Sequence, residues 1–469
     1  MVAIDVLPDD VLLRIFYFYV LNYRPLDEPI FDIFNSKREI ESWQSLVHVC
    51  RRWRYLVFGS PRHLNLRLFC IPGRSARKSL DVWPALPLLI RCDELETETS
   101  TDDAIAELEY SDRIHQISLS RLTTSHIETL CMAMQVPFPE LELLALSFRT
   151  LCGPVLPDSF LGGSAPRLRY LSLNAIPFPA LPNLLLSATN LVKLWLLSIP
   201  HSGYISPEAM AACLSMLTNL EIFGLDFESP QSCPDQETRY PPPPTRSVLP
   251  ALSSFLFKGV NEYLEDLVSR TDAPQLYELS ISLFNDIHFD TPELNQFINR
   301  TPILGAYDEA HLIFYSHQAQ VELSSHQQPH HKMVNVLILC QVPNWQLSSL
   351  AQICNLSLHL LLTMENLYIH ERLDSPSDWN DDIENSEWLD LLLPFAAVKN
   401  LYLSEKFATH IAPALQELTG GRTTEVLPAL QNVLLEGFKP SEPVQEGIAR
   451  FISARQLTNH TIDVSLWNR

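Results

Sequence analysis

Glycine is scarce in this chain, with 13 glycines against 35 prolines among 469 residues. The nine cysteines are scattered, and none forms the Cys-x-x-Cys pair that zinc sites and redox motifs use. No apolar run reaches the roughly 18 residues of a membrane-spanning helix, and the first ten residues do not have the basic-then-apolar pattern of a signal peptide. We therefore expect free thiols, a reducing compartment and a cytoplasmic or nuclear location.

Positive charge is also in short supply. The 33 Lys and Arg residues against 55 Asp and Glu give a net charge of -22. A chain this acidic repels phosphate backbones, which argues against nucleic acid as a partner. We expect neither a nucleic acid nor a membrane among its partners.

The motifs of common catalytic sites are missing from the sequence as well. It contains no glycine-rich phosphate loop, no GxSxG and no HExxH. His326, His330 and His331 stand close together, but in a polar, proline-containing stretch that favours a solvated loop over a metal site. We expect no catalytic residue, metal or cofactor. An enzyme whose site forms only in the tertiary structure is the less favoured alternative.

One pattern, apolar-x-x-apolar-x-apolar, recurs from about residue 110 onward. Successive copies begin 23 to 34 residues apart, except for one gap of 58 residues. The segment "AHLIFY" (310–315) divides that gap and indicates a degenerate copy. The copies begin at Ile114, Leu141, Leu168, Leu191, Leu220, Leu252, Leu276, Val334, Met364, Val398 and Leu430.

This pattern resembles the leucine-rich repeat. The resemblance implies one short parallel strand per copy, with the apolar-x-apolar side chains in the core and the rest of each unit returning to the next strand. Several returns look helical: Ser206 is placed to cap a helix that begins at Pro207, and Thr291 to cap one at Pro292. The asparagine or cysteine that usually follows the strand is missing, so we expect no asparagine ladder and an irregular solenoid.

One segment interrupts the array. Residues 228–247, "ESPQSCPDQETRYPPPPTRS", have no apolar periodicity and contain four consecutive prolines. A surface loop inserted between two repeats is favoured over a polyproline ligand for another domain.

The first 62 residues do not follow the repeat. The stretch "LPDDVLLRIFYFYV" predicts a helix whose first turn holds Pro8, Asp9 and Asp10, and "EIESWQSLVHVCRRWRYLV" predicts a second. So short a module buries little core and needs a neighbour or a partner.

These two stretches, Leu-Pro-acidic-acidic…Ile-Phe and Val-Cys-Arg-Arg-Trp, resemble an F-box of the divergent kind common in fungi. The resemblance implies binding to the Skp-family adaptor of a cullin-type ubiquitin ligase. It departs from the family in an insertion at about 22–41. The residues matching the adaptor-binding motif are Leu7, Pro8, Val11, Leu12, Ile15, Phe16, Leu46, Val49, Cys50, Trp53 and Leu56.

The overall prediction is an α/β protein. An all-α F-box-like module (1–62) precedes an irregular leucine-rich-repeat solenoid with a parallel inner sheet (63–469). The predicted function is substrate recognition in a ubiquitin ligase; the alternative is a repeat scaffold unrelated to ubiquitination, with the module as a cap. A protein substrate is expected on the concave strand face, at Lys193, Trp195, Tyr368, His370, Tyr402 and Glu436.

Overall fold

In the computed structural model, the chain forms two compact units, residues 1–203 and 204–469. The predicted domain boundary near residue 62 lies inside the first unit and stays a prediction. Within the described residues, no helix combines the length and apolarity required to cross a membrane. The structure describes residues 7–21, 42–70, 84–92, 105–148, 154–230, 246–284, 291–305, 307–325, 332–340, 343–356, 358–371, 383–418, 422, 424–436, 442–457 and 460–467.

The first unit begins with three described helices, α1 (Asp9–Leu21), α2 (Ser42–Val47) and α3 (Arg51–Gly59). Helix α1 has the two predicted acidic residues in its first turn. The prediction of one continuous second helix is wrong, because the helix is interrupted at Cys50. That residue is extended, and its sulfur accepts the N–H of Trp53 at 3.5 Å, which caps α3. The predicted insertion at 22–41 lies outside the described residues.

Six strands of the first unit pair in chain order, and every pair with a described register is parallel. Between them lie α4 (Thr124–Ala133), α5 (Leu181–Leu185) and short 3₁₀ turns. The strands are β1 (Leu68–Cys70), β2 (Leu88–Cys92), β3 (Ile114–Leu122), β4 (Leu143–Phe148), β5 (Tyr170–Asn174) and β6 (Lys193–Ile199).

The predicted core row is confirmed here. Leu144, Leu171 and Leu194 face one another across β4, β5 and β6, and each is fully buried. Burying a leucine is worth about 1.5–3 kcal/mol, so every added repeat extends the same apolar row. The parallel register is what brings the equivalent positions of successive repeats together.

The second unit contains one main sheet and a separate pair of short strands. The main strands are β7 (Ile222–Phe227), β9 (Ser254–Gly259), β11 (Glu278–Phe284), β12 (Glu309–Phe314), β13 (Gln318–Ser325), β14 (Lys332–Leu339), β15 (Asn366–Glu371), β16 (Asn400–Leu403), β17 (Asn432–Glu436) and β18 (Asp463–Trp467). Their described order in the sheet is β7-β9-β11-β14-β13-β12-β15-β16-β17-β18. The separate parallel pair joins β8 (Ser247–Val248) to β10 (Thr271–Asp272).

Three strands of this sheet depart from the expected parallel arrangement. Strand β13 runs antiparallel to both β12 and β14, while β12 pairs parallel with β15 and β14 parallel with β11. A tight turn, closed by the Tyr315 N–H to Gln318 carbonyl bond at 2.9 Å, joins β12 to β13. The degenerate copy at 310–315 is therefore a strand, as predicted. In the sheet, however, β12, β13 and β14 stand in the reverse of their order along the chain.

The predicted register of one copy is wrong. The sequence assigned Leu337 and Leu339 to the core, but β14 buries Val334, Val336 and Ile338 instead. The prediction failed because this strand is an almost continuous apolar run, in which either alternate set could face inward.

Helices return the chain between most strands of the second unit. The Ser206 hydroxyl accepts the N–H of Ala209 at 3.3 Å and caps α6 (Pro207–Leu214), as predicted. The later helices are α7 (Asn261–Ser269), α8 (Pro292–Asn299), α9 (Pro343–Leu356), α10 (Leu358–Leu361), α11 (Asn385–Leu392), α12 (Glu405–Gln416) and α13 (Glu442–Gln456).

The cap of α8 differs from the prediction. The Thr291 hydroxyl makes no capping bond. Instead, the carboxylate of Glu265, on the preceding helix α7, accepts the N–H groups of Glu293 and Leu294 at 2.8 and 2.9 Å. A negative charge at a helix N-terminus also interacts favourably with the helix dipole, so one return helix caps the next.

We expect Glu265→Ala to lower the free energy of unfolding by about 1–2 kcal/mol, because two N–H groups of α8 lose their acceptor. Glu265→Gln keeps one oxygen acceptor and should fall between that variant and wild type. The urea midpoint measures the effect. Gln296→Ala, at an exposed position of α8, is the control and should leave the midpoint nearly unchanged. Equal midpoints for Glu265→Ala and wild type would contradict the capping role.

Candidate functional site

The N-terminal helices form a small packed module. Phe16 of α1 packs on Trp53 of α3 with ring centroids 4.6 Å apart, and Leu12 is fully buried. Five of the residues predicted to bind an adaptor are therefore interior, and a partner could not reach them in this arrangement. These are Leu12, Phe16, Leu46, Trp53 and Leu56.

The other predicted residues lie at the surface. Pro8 is exposed, and Val11, Ile15 and Val49 are exposed by 39%, 41% and 57%. Leu7 and Cys50 are half-buried. The module thus separates the motif into residues that hold the helices together and residues that a partner could contact.

Helix α1 carries a second apolar face beside its buried one. Val11, Ile15 and Phe18 follow one another at spacings of four and three residues, which places them on the same side of a helix. Phe18 is 54% exposed. Phe18 is not among the residues that match the adaptor-binding motif, although its spacing from Ile15 is visible in the sequence. We call Val11, Ile15 and Phe18 the outer stripe of α1.

Arg52 and Arg54 bind groups within the module itself. Arg52 donates to the Leu7 carbonyl and to the Asp9 carboxylate, both at 2.6 Å, and ties α3 to the start of α1. Arg54 donates to the Val47 carbonyl at 3.0 Å. These bonds fix the angle between the helices, so the Cys-Arg-Arg-Trp stretch has a structural use in this chain.

A charged cleft of about 600 Å³ lies in the first unit. Its wall carries both signs of charge: Arg167 pairs with Glu140, and Arg113 donates to the Leu86 carbonyl at 2.9 Å. Burial lowers the pKa of His115, although Glu142 opposes the shift. The positive and negative charges of the cleft therefore largely balance each other. The cleft does not favour either an anionic or a cationic ligand.

Lys193 and Trp195, two residues predicted to bind substrate, both lie on β6 in the first unit. Both are half-buried, and Trp195 pairs with Ser172 of β5. The remaining four predicted residues belong to the second unit.

In the second unit, Tyr368 and Tyr402 are direct neighbours on β15 and β16, as predicted. Their rings stack with centroids 4.1 Å apart and planes 13° apart. His311 of β12 stacks on the other side of Tyr368, at 4.4 Å and 5°. Trp467 of β18 stands edge-on to both tyrosines, at 5.9 and 5.4 Å.

His311 and Trp467 were not assigned to this site from the sequence. Strand β12 is next to β15 only because the order of β12 to β14 is reversed, so nothing local indicated the contact. Trp467 belongs to a strand that does not carry the repeat pattern. The outward-facing residues of β12, β13 and β15–β18 form one surface, which we call the aromatic face.

An asparagine ladder runs beside the aromatic stack. The side-chain amide of Asn400 donates to Asn366 at 2.8 Å, and that of Asn432 donates to Asn400 at 2.7 Å. The expected absence concerned the asparagine that usually follows the strand; this ladder differs, because its asparagines stand at the first residue of each strand. A common third position in "MENLYI", "VKNLYL" and "LQNVLL" was the available signal.

One residue expected on the exposed side is buried. His370 is 6% exposed and lies edge-on to His311 at 5.8 Å, so its prediction as an accessible contact is wrong. Glu436 keeps a half-buried position at the end of β17, opposite Trp467.

Carboxylates surround the aromatic stack. The six strands β12, β13 and β15–β18 contain five carboxylates and no lysine or arginine. Glu322 pairs with His311 across β13 and β12, and Glu309 lies 3.7 Å from His311. Burial raises the pKa of Tyr368, and Glu309 and Tyr402 raise it further. The aromatic face is therefore acidic.

Within the described ranges, no group of three or more His, Cys, Asp or Glu side chains could hold a metal ion. His326, His330 and His331 lie outside the described residues, as does most of the predicted proline-rich loop. Among the cysteines whose side chains are described, the free thiols are Cys50, Cys70, Cys131, Cys213, Cys340 and Cys354.

Comparison with known proteins shows a likeness to a solved repeat structure. No family model and no curated protein matches the chain. Among solved structures, the leucine-rich repeat-containing protein LegL7 from Legionella pneumophila aligns over 82% of this chain and 97% of its own. It is 11% identical, with a TM-score of 0.26. This similarity is too low to support a fold assignment. The evidence for the repeat architecture is the strands, their register and the return helices described above.

We expect Asn400→Ala to lower the free energy of unfolding by about 1–2 kcal/mol, because it removes the middle of the ladder and leaves both neighbouring amides short of a partner. Asn432→Ala removes one ladder bond and should cost less. Thermal or urea unfolding measures both. Asn299→Ala, at an exposed helix end, is the control. A cost for Asn400→Ala no larger than that of the control would show that the ladder does not stabilise the sheet.

Proposed function

We propose that this protein is the non-catalytic substrate-recognition subunit of a cullin-type ubiquitin ligase. In this proposal the N-terminal module binds the Skp-family adaptor, and the strands of the repeats bind a protein substrate. The outer stripe of α1 is the observation that carries it: a module this small leaves Val11, Ile15 and Phe18 exposed although it could have carried polar residues there.

The arrangement of the module supports adaptor binding in a second way. Buried Leu12, Phe16 and Trp53 hold α1 against α3, so the outer stripe is held on a preformed helix. A preorganised apolar helix face loses little conformational entropy when it docks. The exposed Val49 precedes α3 and adds a further apolar contact point.

The role of the repeats would be to hold the substrate near the transfer machinery. Bringing two proteins together on one scaffold raises their effective concentration without any chemistry by the scaffold itself. This agrees with the lack of the common catalytic motifs in the sequence.

One observation favours a second candidate function, a repeat scaffold whose helical module serves as an end cap. The indole N–H of Trp43 donates to the Arg67 carbonyl at 3.0 Å, and Leu64 and Leu66 are buried beside the first strand. A module in this position shields an edge that every repeat array must cover. Under this alternative, the outer stripe of α1 does not bind an adaptor.

The test uses the full chain and a purified Skp-family adaptor. We expect wild type to bind, and Val11→Asp/Ile15→Asp to weaken binding at least about 10-fold, roughly 1.4 kcal/mol. Both positions are exposed, so the urea midpoint should be nearly unchanged. Val155→Asp/Leu186→Asp, at exposed apolar positions elsewhere in the first unit, is the matched control and should bind like wild type.

Two outcomes would reject the ligase proposal. The first is no adaptor binding by wild type. The second is equal binding by the outer-stripe variant and the control. Either result, together with a large loss of stability when the module is deleted, would favour the cap.

A further inference from the structure

We propose that the outer edge of β18 pairs with the same edge of a second copy of this chain. The two main sheets would then join through a pair of antiparallel β18 strands. This interface involves only the second unit. It goes beyond the proposed function and does not depend on adaptor binding.

Strand β18 is the outermost strand of the main sheet in the described part of the chain, where the sheet order ends with β17 and then β18. Its residues Asp463, Val464, Ser465 and Leu466 are all exposed. Unpaired strand edges attract other strands, and proteins commonly protect them with lysine, proline or a covering element. Strand β18 contains no lysine and no proline, and Asp463 is its only charged residue. The edge therefore lacks the usual protection against pairing.

The core-facing side of β18 is uncovered as well. By register, Val464 lies beside Val433 of β17, and Leu466 lies beside Leu435. The two β17 residues are 0% and 3% exposed, whereas Val464 and Leu466 are 46% and 52% exposed. The apolar row that is buried on β17 thus continues into solvent on β18. This favours a partner that supplies apolar contacts together with backbone hydrogen bonds.

The backbone groups that point to the outer edge can be identified from one hydrogen bond. The N–H of Asp463 donates to the Gln431 carbonyl at 2.8 Å, so the backbone groups of Asp463 point toward β17. Successive residues of a strand direct their N–H and C=O groups to opposite edges. The two N–H and two C=O groups of Val464 and Leu466 therefore point outward. Among the described strands, β18 pairs only with β17, so no described strand accepts or donates to these four groups.

A two-fold axis through Ser465 makes this edge complementary to itself. Val464 then lies opposite Leu466 of the second copy, and the two residues exchange both N–H···O=C bonds of a hydrogen-bonded antiparallel pair. The symmetry repeats this pair, so four bonds use all four outward groups. The indole of Trp467 reaches back to Tyr402 on β16, with ring centroids 5.4 Å apart, and leaves the outer edge open. Such an isologous contact closes at two copies.

The side chains agree with this pairing. On the core-facing side, Val464 and Leu466 of the two copies cover one another. On the other side, Ser465 meets Ser465 of the second copy, and paired hydroxyl side chains form favourable cross-strand contacts. The two Asp463 carboxylates lie about 14 Å apart, four residues along the strand, which exceeds the screening length of about 8 Å at physiological salt. No like charges meet across the edge.

Sedimentation equilibrium of the full-length protein tests the pairing. We expect a reversible shift from 53.4 kDa toward twice that mass between about 1 and 100 μM. The dimer should be this weak because one short strand buries too little surface for a permanent interface. Added salt should strengthen it, since each copy carries a net charge of -22 and salt screens the repulsion between the copies.

Val464→Lys/Leu466→Lys should weaken dimerisation at least 10-fold, because charges on a strand edge oppose pairing. The lysines reduce the net negative charge, so greater repulsion between the copies would not explain the loss. The matched control, Met216→Lys/Leu393→Lys, makes the same charge change at exposed apolar positions of the second unit and should dimerise like wild type. The melting temperature verifies folding.

Leu466→Pro gives a second test if the double lysine variant does not fold. Proline removes the outward N–H of this residue and no bond to β17, and edge strands tolerate proline at such positions. We expect a melting temperature close to that of wild type and dimerisation at least 3-fold weaker.

A cysteine at the two-fold axis tests the register. In the proposed pairing, the Cα atoms of the two Ser465 residues are about 4.5 Å apart, within the range that a disulfide spans. Ser465→Cys, treated with oxidised glutathione, should therefore form a covalent dimer on a non-reducing gel. Asp463→Cys, whose two copies are about 14 Å apart, should form no more covalent dimer than wild type.

Three results would overturn the inference. One is a wild type that stays monomeric up to about 100 μM at high salt, which would leave a strand of another protein as the occupant of the edge. Another is equal dimerisation by the double lysine variant and its control, which would place the contact elsewhere. The third is equal cross-linking by Ser465→Cys and Asp463→Cys, which would exclude the proposed register.

Discussion

The parallel register of neighbouring strands is the constraint on which the rest of this molecule depends. It aligns the apolar residues of successive repeats into rows such as Leu144, Leu171 and Leu194. Because a strand alternates its side chains, the same register that builds the buried rows also aligns the outward-facing residues. The asparagine ladder and the aromatic stack are therefore consequences of core packing on the opposite side of the sheet.

The reversed strands β12 to β14 show how an irregularity can create a surface. With regular chain order, the neighbour of β15 would have been the strand that precedes it in sequence. The reversal instead puts β12 beside β15 and brings His311 onto Tyr368. It also places Glu322 in the same cross-strand row, so the acidic end of the aromatic face exists because of the hairpin.

The N-terminal module shows a comparable division of labour within one short motif. Leu12, Phe16 and Trp53 are its core, whereas Val11 and Ile15 remain outside. A motif comparison groups all of them as adaptor-binding residues. Burial separates those that contribute through stability from those that a partner could contact directly.

Much of the architecture could be predicted from the sequence, because the signals are local. The repeat motif located ten of its eleven copies in the correct register, from Ile114 to Leu430, and the Ser206 cap was correct. The copy at Val334 failed because its alternation is ambiguous. Hydrophobic periodicity determines which side of a strand is buried without reference to distant parts of the chain.

The tertiary structure alone decided which strands became neighbours, and with them the contents of the aromatic face. Pairing between β12 and β15 joins segments more than 50 residues apart, and no local pattern encodes it. The same holds for the Glu265 cap on α8, for the burial of His370, and for the edge-on contact of Trp467. Each depends on the free energy of packing between distant elements. The sequence by itself determined the repeat, and packing determined the surface that the repeat displays.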